Sequence, residues 1–300
     1  MSWLAAALWL ACVWCGVTPT HASEATAQER LDEASELVVR FEFDAARTAY
    51  AALVSELAPD DPLRRQAMFG QAVAAQHQQP PDPALISEAE RLFNELANDG
   101  TGDALAARSL LNTGRILEIR DYRNDPERPN DAIPVYRRVI ADYPDLPIAH
   151  EAALRIGGAY LQQFADPAAV AEGVAFLESH LSQHPDNPFA GAMHLLLYDH
   201  YRPRDAADDA LRHLVAGDAV GLPVSRVGEY YWQAGEIASS LPGRLDTAVE
   251  FYTKTVVETP SSGRAYQALD RLRALAAEHP DANIELPEFR FGRSAITTAQ

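Results

Sequence analysis

Small and bulky apolar side chains recur along this chain with a helical period, and the recurring set is itself repeated. Ala132, Tyr136, Val139 and Pro144 are separated by four, three and five residues, and Gly173, Leu177, His180 and Pro185 keep the same intervals. Ala248, Tyr252, Thr255 and Pro260 keep them a third time. Positions i, i+4 and i+7 share one helical face, and a proline cannot continue the i to i−4 hydrogen bonds. Each set therefore predicts a helix with one close-packed face and a fixed stop. Looser copies stand at Ala46/Tyr50/Leu53, Ala89/Phe93/Leu96 and Ala207/Leu211/Leu214, so the small anchors fall 34 to 43 residues apart.

A second class of helix lies between these, marked by Gly70, Gly114, Gly157 and Gly235. A glycine inside a helix costs roughly 1 kcal/mol relative to alanine, so its repetition predicts that another backbone passes too close to admit a Cβ. Short breaks such as Pro59-Asp60-Asp61-Pro62, Pro144-Asp145-Leu146-Pro147 and Pro185-Asp186-Asn187-Pro188 end one helix and start the next. Asp166-Pro167, ahead of Gly173, reads as a weak helix start. A unit repeated at this spacing predicts a stack of helix pairs. Runs of Val, Ile and Thr that would favour strands are nearly absent, so the fold class expected is all-α.

Ile156-Gly157-Gly158-Ala159-Tyr160 in a first helix and Ala-x3-Tyr-x2-Val-x4-Pro from Ala132 to Pro144 in a second resemble the tetratricopeptide repeat. The resemblance covers roughly residues 25–278 and implies a right-handed α-solenoid of about six helix pairs plus a C-terminal capping helix near 264–278. Spacings mostly longer than the family's usual unit, with the usual first-helix Trp absent, look like the divergent repeats of bacterial envelope proteins. The resemblance further implies that first helices line a concave binding face. Carried over from the glycine positions, that face would hold Arg64, Met68, Gln71, Arg108, Asn112, Arg115, Glu151, Arg155, Glu229, Trp232 and Glu236. Its first half would be Arg-rich, suited to an acidic segment, and its second half acidic and aromatic. The partner implied is a protein or peptide held in a groove.

The ends change the picture. Trp3 to Val17 carry no charge, and Thr20-His21-Ala22 places small residues where a signal peptidase cuts, so residues 1–22 read as a signal peptide and the mature chain is expected to be exported. The apolar run is shorter than the roughly 20 residues a membrane helix needs, and no later segment approaches that length. Cys12 and Cys15 are the only cysteines, and neither follows a convincing lipidation motif. Domain bounds follow as 1–22 leader, 23–278 solenoid and 279–300 extended or disordered tail.

Charge and motifs narrow the function. With 43 acidic and 25 basic residues the net charge is −18, a field that repels phosphate backbones and argues against nucleic acid. Lys254 is the sole lysine, read here as compositional bias. His180 and His184 stand one helical turn apart, a metal-ligand spacing, but Leu181 follows His180 where a zinc protease has Glu, and no third ligand is evident. They are read as packing or surface histidines, with no metal or cofactor expected. The loop from Asp121 to Asp131 is rich in carboxylates but lacks the glycine and closing glutamate of a calcium loop. Asp99-Gly100-Thr101-Gly102-Asp103 follows a helix and is too short for a phosphate loop. No Gly-x-Ser-x-Gly elbow exists. The expectation is a non-catalytic interaction scaffold. The alternatives are a metal-dependent envelope hydrolase or accessory subunit using the histidines, and a self-associating structural protein.

Overall fold

Thirteen α-helices follow one another among the residues that the computed structural model describes, 26–118, 129–163, 166–222 and 226–288, and there is no strand among them. They are α1 (Ala27–Val39), α2 (Phe43–Glu56), α3 (Pro62–His77), α4 (Pro83–Ala97), α5 (Ala104–Glu118), α6 (Pro129–Asp142) and α7 (Pro147–Leu161). α8 (Pro167–Gln183), α9 (Ala190–Tyr201), α10 (Ala207–Val220), α11 (Val227–Ser240), α12 (Leu245–Val257) and α13 (Ala265–Glu278) complete the series. Several of them start for a local reason. Asp61, Asp82 and Asp166 each accept a backbone N–H of the first helical turn, and each is followed by proline at the first helical position. Proline has no N–H to leave unpaired there, and aspartate satisfies one of the orphan donors. Asp166-Pro167 is therefore a firm helix start, contrary to the sequence expectation: its carboxylate accepts from both Ala168 and Ala169. Thr26 and Glu29 form a reciprocal capping box on α1.

The helices pair and stack as a tetratricopeptide-like solenoid, six pairs with α13 closing the series. Consecutive helices pack from α1 to α13. In addition α1, α3, α5 and α7 each pack against the next first helix, as α11 does against α13. Second helices of neighbouring pairs make no comparable contact among the described residues. The first-helix row is thus the tighter one and forms the inner curve. The core is correspondingly a relay. One cluster spans Leu31 to Ala74, the next Met68 to Ile116, then Ala97 to Ala159, Ala153 to Leu197, and Leu195 to Leu272.

The anchors fill that relay. Ala132, Tyr136, Val139, Ala248, Tyr252 and Thr255 are fully buried, as are Gly173 and Leu177. In α10 Leu211 and Leu214 of the expected set are buried, but Ala207 is only half-buried, and Ala210, Leu214 and Gly217 form a second buried set at the same spacing. The glycines are also explained differently. A Cβ on Gly70 would meet the Tyr50 ring at 2.3 Å, on Gly114 the Tyr136 ring at 2.4 Å, on Gly235 the Tyr252 ring at 2.6 Å, and on Gly157 the Leu177 side chain at 2.4 Å. What excludes a side chain is thus the bulky anchor of a second helix, not a backbone. A backbone is the obstacle at Gly191, where a Cβ would lie 2.1 Å from the Gly221 carbonyl oxygen.

Beyond α13, Asn283 adopts a left-handed conformation and Ile284 packs on the last core cluster. The leader residues 1–22, the acidic loop from Asp121 to Glu127, and Phe289–Gln300 lie outside the described residues. No described helix is long and apolar enough to cross a membrane.

Candidate functional site

A cavity of about 420 Å³ crosses the inner row obliquely. Phe69, Val73 and His77 supply one wall from successive turns of α3, and Arg108, Leu111, Asn112 and Arg115 supply the floor from α5. Pro147, Ile148 and Glu151 at the start of α7, with Phe189 ahead of α9, supply the far wall. Spacings of three and four place each group on one face of its helix. Burial, then the nearby Arg115 charge, lowers the pKa of His77, so the groove is lined by neutral imidazole at pH 7.

Internal ion pairs use most of the charge on this face. Arg115 donates to Glu151 and, at 3.2 Å, to Asn112. Arg155 donates to Glu151 at 3.1 Å and to Glu118 at 3.0 Å. Glu118 also accepts from the Tyr136 hydroxyl at 2.6 Å, and that hydroxyl is pushed far above its ordinary range by burial and then by the carboxylate. Arg115 and Arg155 thus join α5 to α7. Arg108 is different: it is exposed in the groove and has no ion pair among the described residues.

The remaining residues expected on the binding face sit elsewhere. Arg64 turns toward α2, donating to the Val54 carbonyl at 3.2 Å, and Met68 is buried. Gln71 is buried against α4, donating to Glu88 at 2.5 Å. Asn112, though in the groove, is 8% exposed and donates to the Arg108 carbonyl. In the last pairs, Glu229 accepts from Arg264 and Glu236 from Arg271 and the Tyr252 hydroxyl. Trp232 is 8% exposed, packed on Tyr252 with Arg264 5.5 Å above its ring. The Arg-rich and acidic halves are therefore largely neutralised within the fold. The offset from glycine misplaced Arg64 and Gln71 because the open face of α3 carries Phe69, Val73 and His77, which an apolar or small-residue reading assigns to the core. Of the repeat positions, Gly70, Gly114, Gly157, Gly235, Ala132, Tyr136, Gly173, Ala248 and Tyr252 are helix-packing residues. Pro144, Pro185 and Pro260 stand just past the ends of α6, α8 and α12.

The histidines gain a member. His150, thirty residues before His180, brings Nδ1 to 3.0 Å from His180 Nε2, a neighbour no helical spacing could reveal. Burial, then His184 and His150, holds His180 down to about 4. A second pair, His194 and His213, joins through the two Nδ1 atoms at 2.9 Å, with His213 buried and stacked on Tyr201.

No family model matches the sequence, and no curated protein matches it. A similar solved structure is human IFIT1, determined as a dimer with PPP-AAAA, at 13% identity and a TM-score of 0.39. The match covers 86% of this chain and 65% of that one, so this chain spans somewhat less than two thirds of its length. The α-solenoid is defined by the helix packing described above.

Proposed function

We propose that this protein is a non-catalytic solenoid scaffold that holds an extended segment of a protein partner in the groove across α3, α5 and α7. The observation that carries this reading is the groove's composition: apolar Phe69, Val73, Leu111, Ile148 and Phe189 around Arg108, a cation with no ion pair among the described residues. Such a surface suits a segment that offers an apolar side chain beside a carboxylate, since the guanidinium fork matches carboxylate geometry. A net charge of −18 disfavours a polyanion, so the PPP-AAAA of human IFIT1 is not carried over. The leader-like residues 1–22 support an exported scaffold working in the periplasm or cell envelope.

Photocrosslinking tests the groove. A benzophenone side chain at Val73 or Ile148 should capture the same partner from the native source, and at exposed Arg91 on α4 it should not. Arg108→Glu should weaken that capture by roughly tenfold, about 1.4 kcal/mol, without changing helicity. Equal capture from Arg91, or capture indifferent to Arg108→Glu, overturns the assignment of the groove.

A further inference from the structure

The two most exposed large apolar side chains among the described residues stand together where α1 gives way to α2: Phe41 is 80% exposed and Val39 77%. Single apolar groups scattered on a surface need no explanation, but the backbone of Phe41 sets this pair apart. Its φ is +62°, in the left-handed region. The Phe41 N–H donates to the Val38 carbonyl at 3.0 Å, and the Glu42 N–H to the Leu37 carbonyl at 2.9 Å. This pattern closes a helix on a residue that is usually glycine and sometimes asparagine, because other side chains are strained there. A phenyl ring is an outlier at such a position, and here it also stays in water. Neither the turn nor the core accounts for it, and residues held under backbone strain collect at ligand-holding surfaces.

The same turn is the next step of the groove. The groove lining advances from Phe189, just before α9, to the first turn of α7, the middle of α5 and the second half of α3. Carried one first helix further, that oblique line reaches the end of α1, where Val39 and Phe41 stand. Ring contacts make the same connection. Phe41 meets Phe43 edge-on, with ring centres 6.0 Å apart and planes at 84°, and Phe43 stacks on His77 at 5.8 Å. His77 is the last residue of α3 and lines the groove. The flanking charges, Arg40 and Glu42, pair with each other at 3.6 Å, so the apolar pair sits between charges that offset one another.

We propose that Phe41 and Val39 form an apolar ledge that receives a second side chain, aromatic or branched aliphatic, of the protein segment held in the groove. The proposal rests on the groove reading above. From Arg108 to the ledge is two first-helix spacings of about 8–10 Å each and about 15 Å along the helix axes, on the order of 25 Å in all. An extended segment covers that distance in about seven or eight residues. The partner therefore carries its apolar residue about seven or eight positions from the carboxylate that meets Arg108. Contact with the ledge removes from water a ring that the free chain leaves exposed.

Capture from a benzophenone at Val73, read as crosslink yield across a dilution series of the native source, tests the ledge. Phe41→Asn suits a left-handed turn, so it should raise the urea midpoint of the free chain while lowering apparent affinity about tenfold. Phe41→Tyr keeps the ring and should match the parent in both measurements. A benzophenone at position 41 should capture the same partner as Val73, attached further along the same segment. Capture that depends on Arg108 but is indifferent to Phe41→Asn overturns the ledge and leaves the groove standing. Capture indifferent to both substitutions removes the groove, and the ledge with it. A second copy of this chain crosslinked from position 41, with mass in solution falling in Phe41→Asn, makes the pair a self-association contact and also overturns the proposal.

Discussion

At the scale of single residues, the adjacent pair Gly157 and Gly158 separates what the chain reveals from what it conceals. Both lie inside α7, and the repeat pattern marks only Gly157 as a close-packed position. A Cβ on Gly157 would collide with fully buried Leu177, whereas one on Gly158 would meet only Leu196 at an ordinary 3.9 Å. Gly157→Ala should therefore destabilise by about 1–3 kcal/mol through overpacking. Gly158→Ala should stabilise by about 0.5–1 kcal/mol, because alanine loses less backbone entropy in a helix. Chemical denaturation of the two variants checks the contrast in sign. The sequence showed where helices close on glycine, but not that a tyrosine or leucine occupies the space, since that depends on which anchor faces it across the pair. His213 supplies a pH prediction at the same scale. Burial first, then the charge of Arg212 and neighbouring His194, holds it at about 4 against an ordinary 6.5, with Glu178 3.5 Å away pulling the other way. The unfolded chain then binds more protons than the folded one between those values, so stability is full above about pH 6.5 and declines toward pH 4. His213 alone accounts for about 2–3 kcal/mol of that decline. Unfolding midpoints measured from pH 7.5 to 4.5 should fall less steeply in His213→Gln than in the parent.

At the scale of elements, the helix sequence was legible because proline stops, aspartate caps and the small-bulky spacing act within a few residues of each other. The α10 register was not, since the proline after that helix, Pro223, stands nine residues past Leu214 instead of the five kept in the strict copies, and Ala207 and Ala210 compete for the same role. Basic residues were the other blind spot. Arg65 reaches Asp99 and Asp103, Arg137 reaches Glu172, Arg212 reaches Glu178, Arg264 reaches Glu229 and Arg271 reaches Glu236. Partners in these pairs are 34 to 38 residues apart, about one repeat. The guanidinium groups thus join successive pairs, a role visible only once the stacking is known. The single lysine belongs to this ladder instead of being a compositional accident. Lys254 on α12 donates to Asp218 of α10 at 2.5 Å and lies 5.0 Å from the Phe251 ring centre, and Asp218 is only 15% exposed. Lys254→Met keeps the apolar stem but leaves that carboxylate without its cation, and should cost about 1–3 kcal/mol. Denaturation of this variant beside Lys254→Met/Asp218→Asn, which should regain part of the loss, tests the assignment.

At the scale of the molecule, a core that runs as a relay makes stability local, and the weakest seam decides where the array opens first. One thin seam is between α8 and α9, although α7 also packs on α9. These consecutive helices pack far less extensively than α7 with α8 or α9 with α10. Cavities of about 540 and 520 Å³ lie beside them, lined by Val170 and Val174 of α8, by Leu196 of α9, and by His200 and Arg204. Glu178 bridges the gap from α8, accepting from Tyr201 at 3.1 Å and from Arg212 of α10 at 3.0 Å. Burial raises its carboxyl pKa, and these two hydrogen bonds outweigh that and bring it below the ordinary value. Removing the charge while keeping the shape should therefore loosen one joint and not the whole chain. In Glu178→Gln, amide exchange measured by mass spectrometry should accelerate in α9 and α10, with α1 to α6 unchanged. Uniform acceleration from α1 to α13 would instead mean that the array unfolds as a single cooperative unit. Because the groove's far wall ends at Phe189, immediately before α9, the same experiment reports whether opening at this seam reaches the binding face. Faster exchange at the start of α9 with an unaltered crosslink from Val73 would place the flexible joint outside the surface that holds the partner.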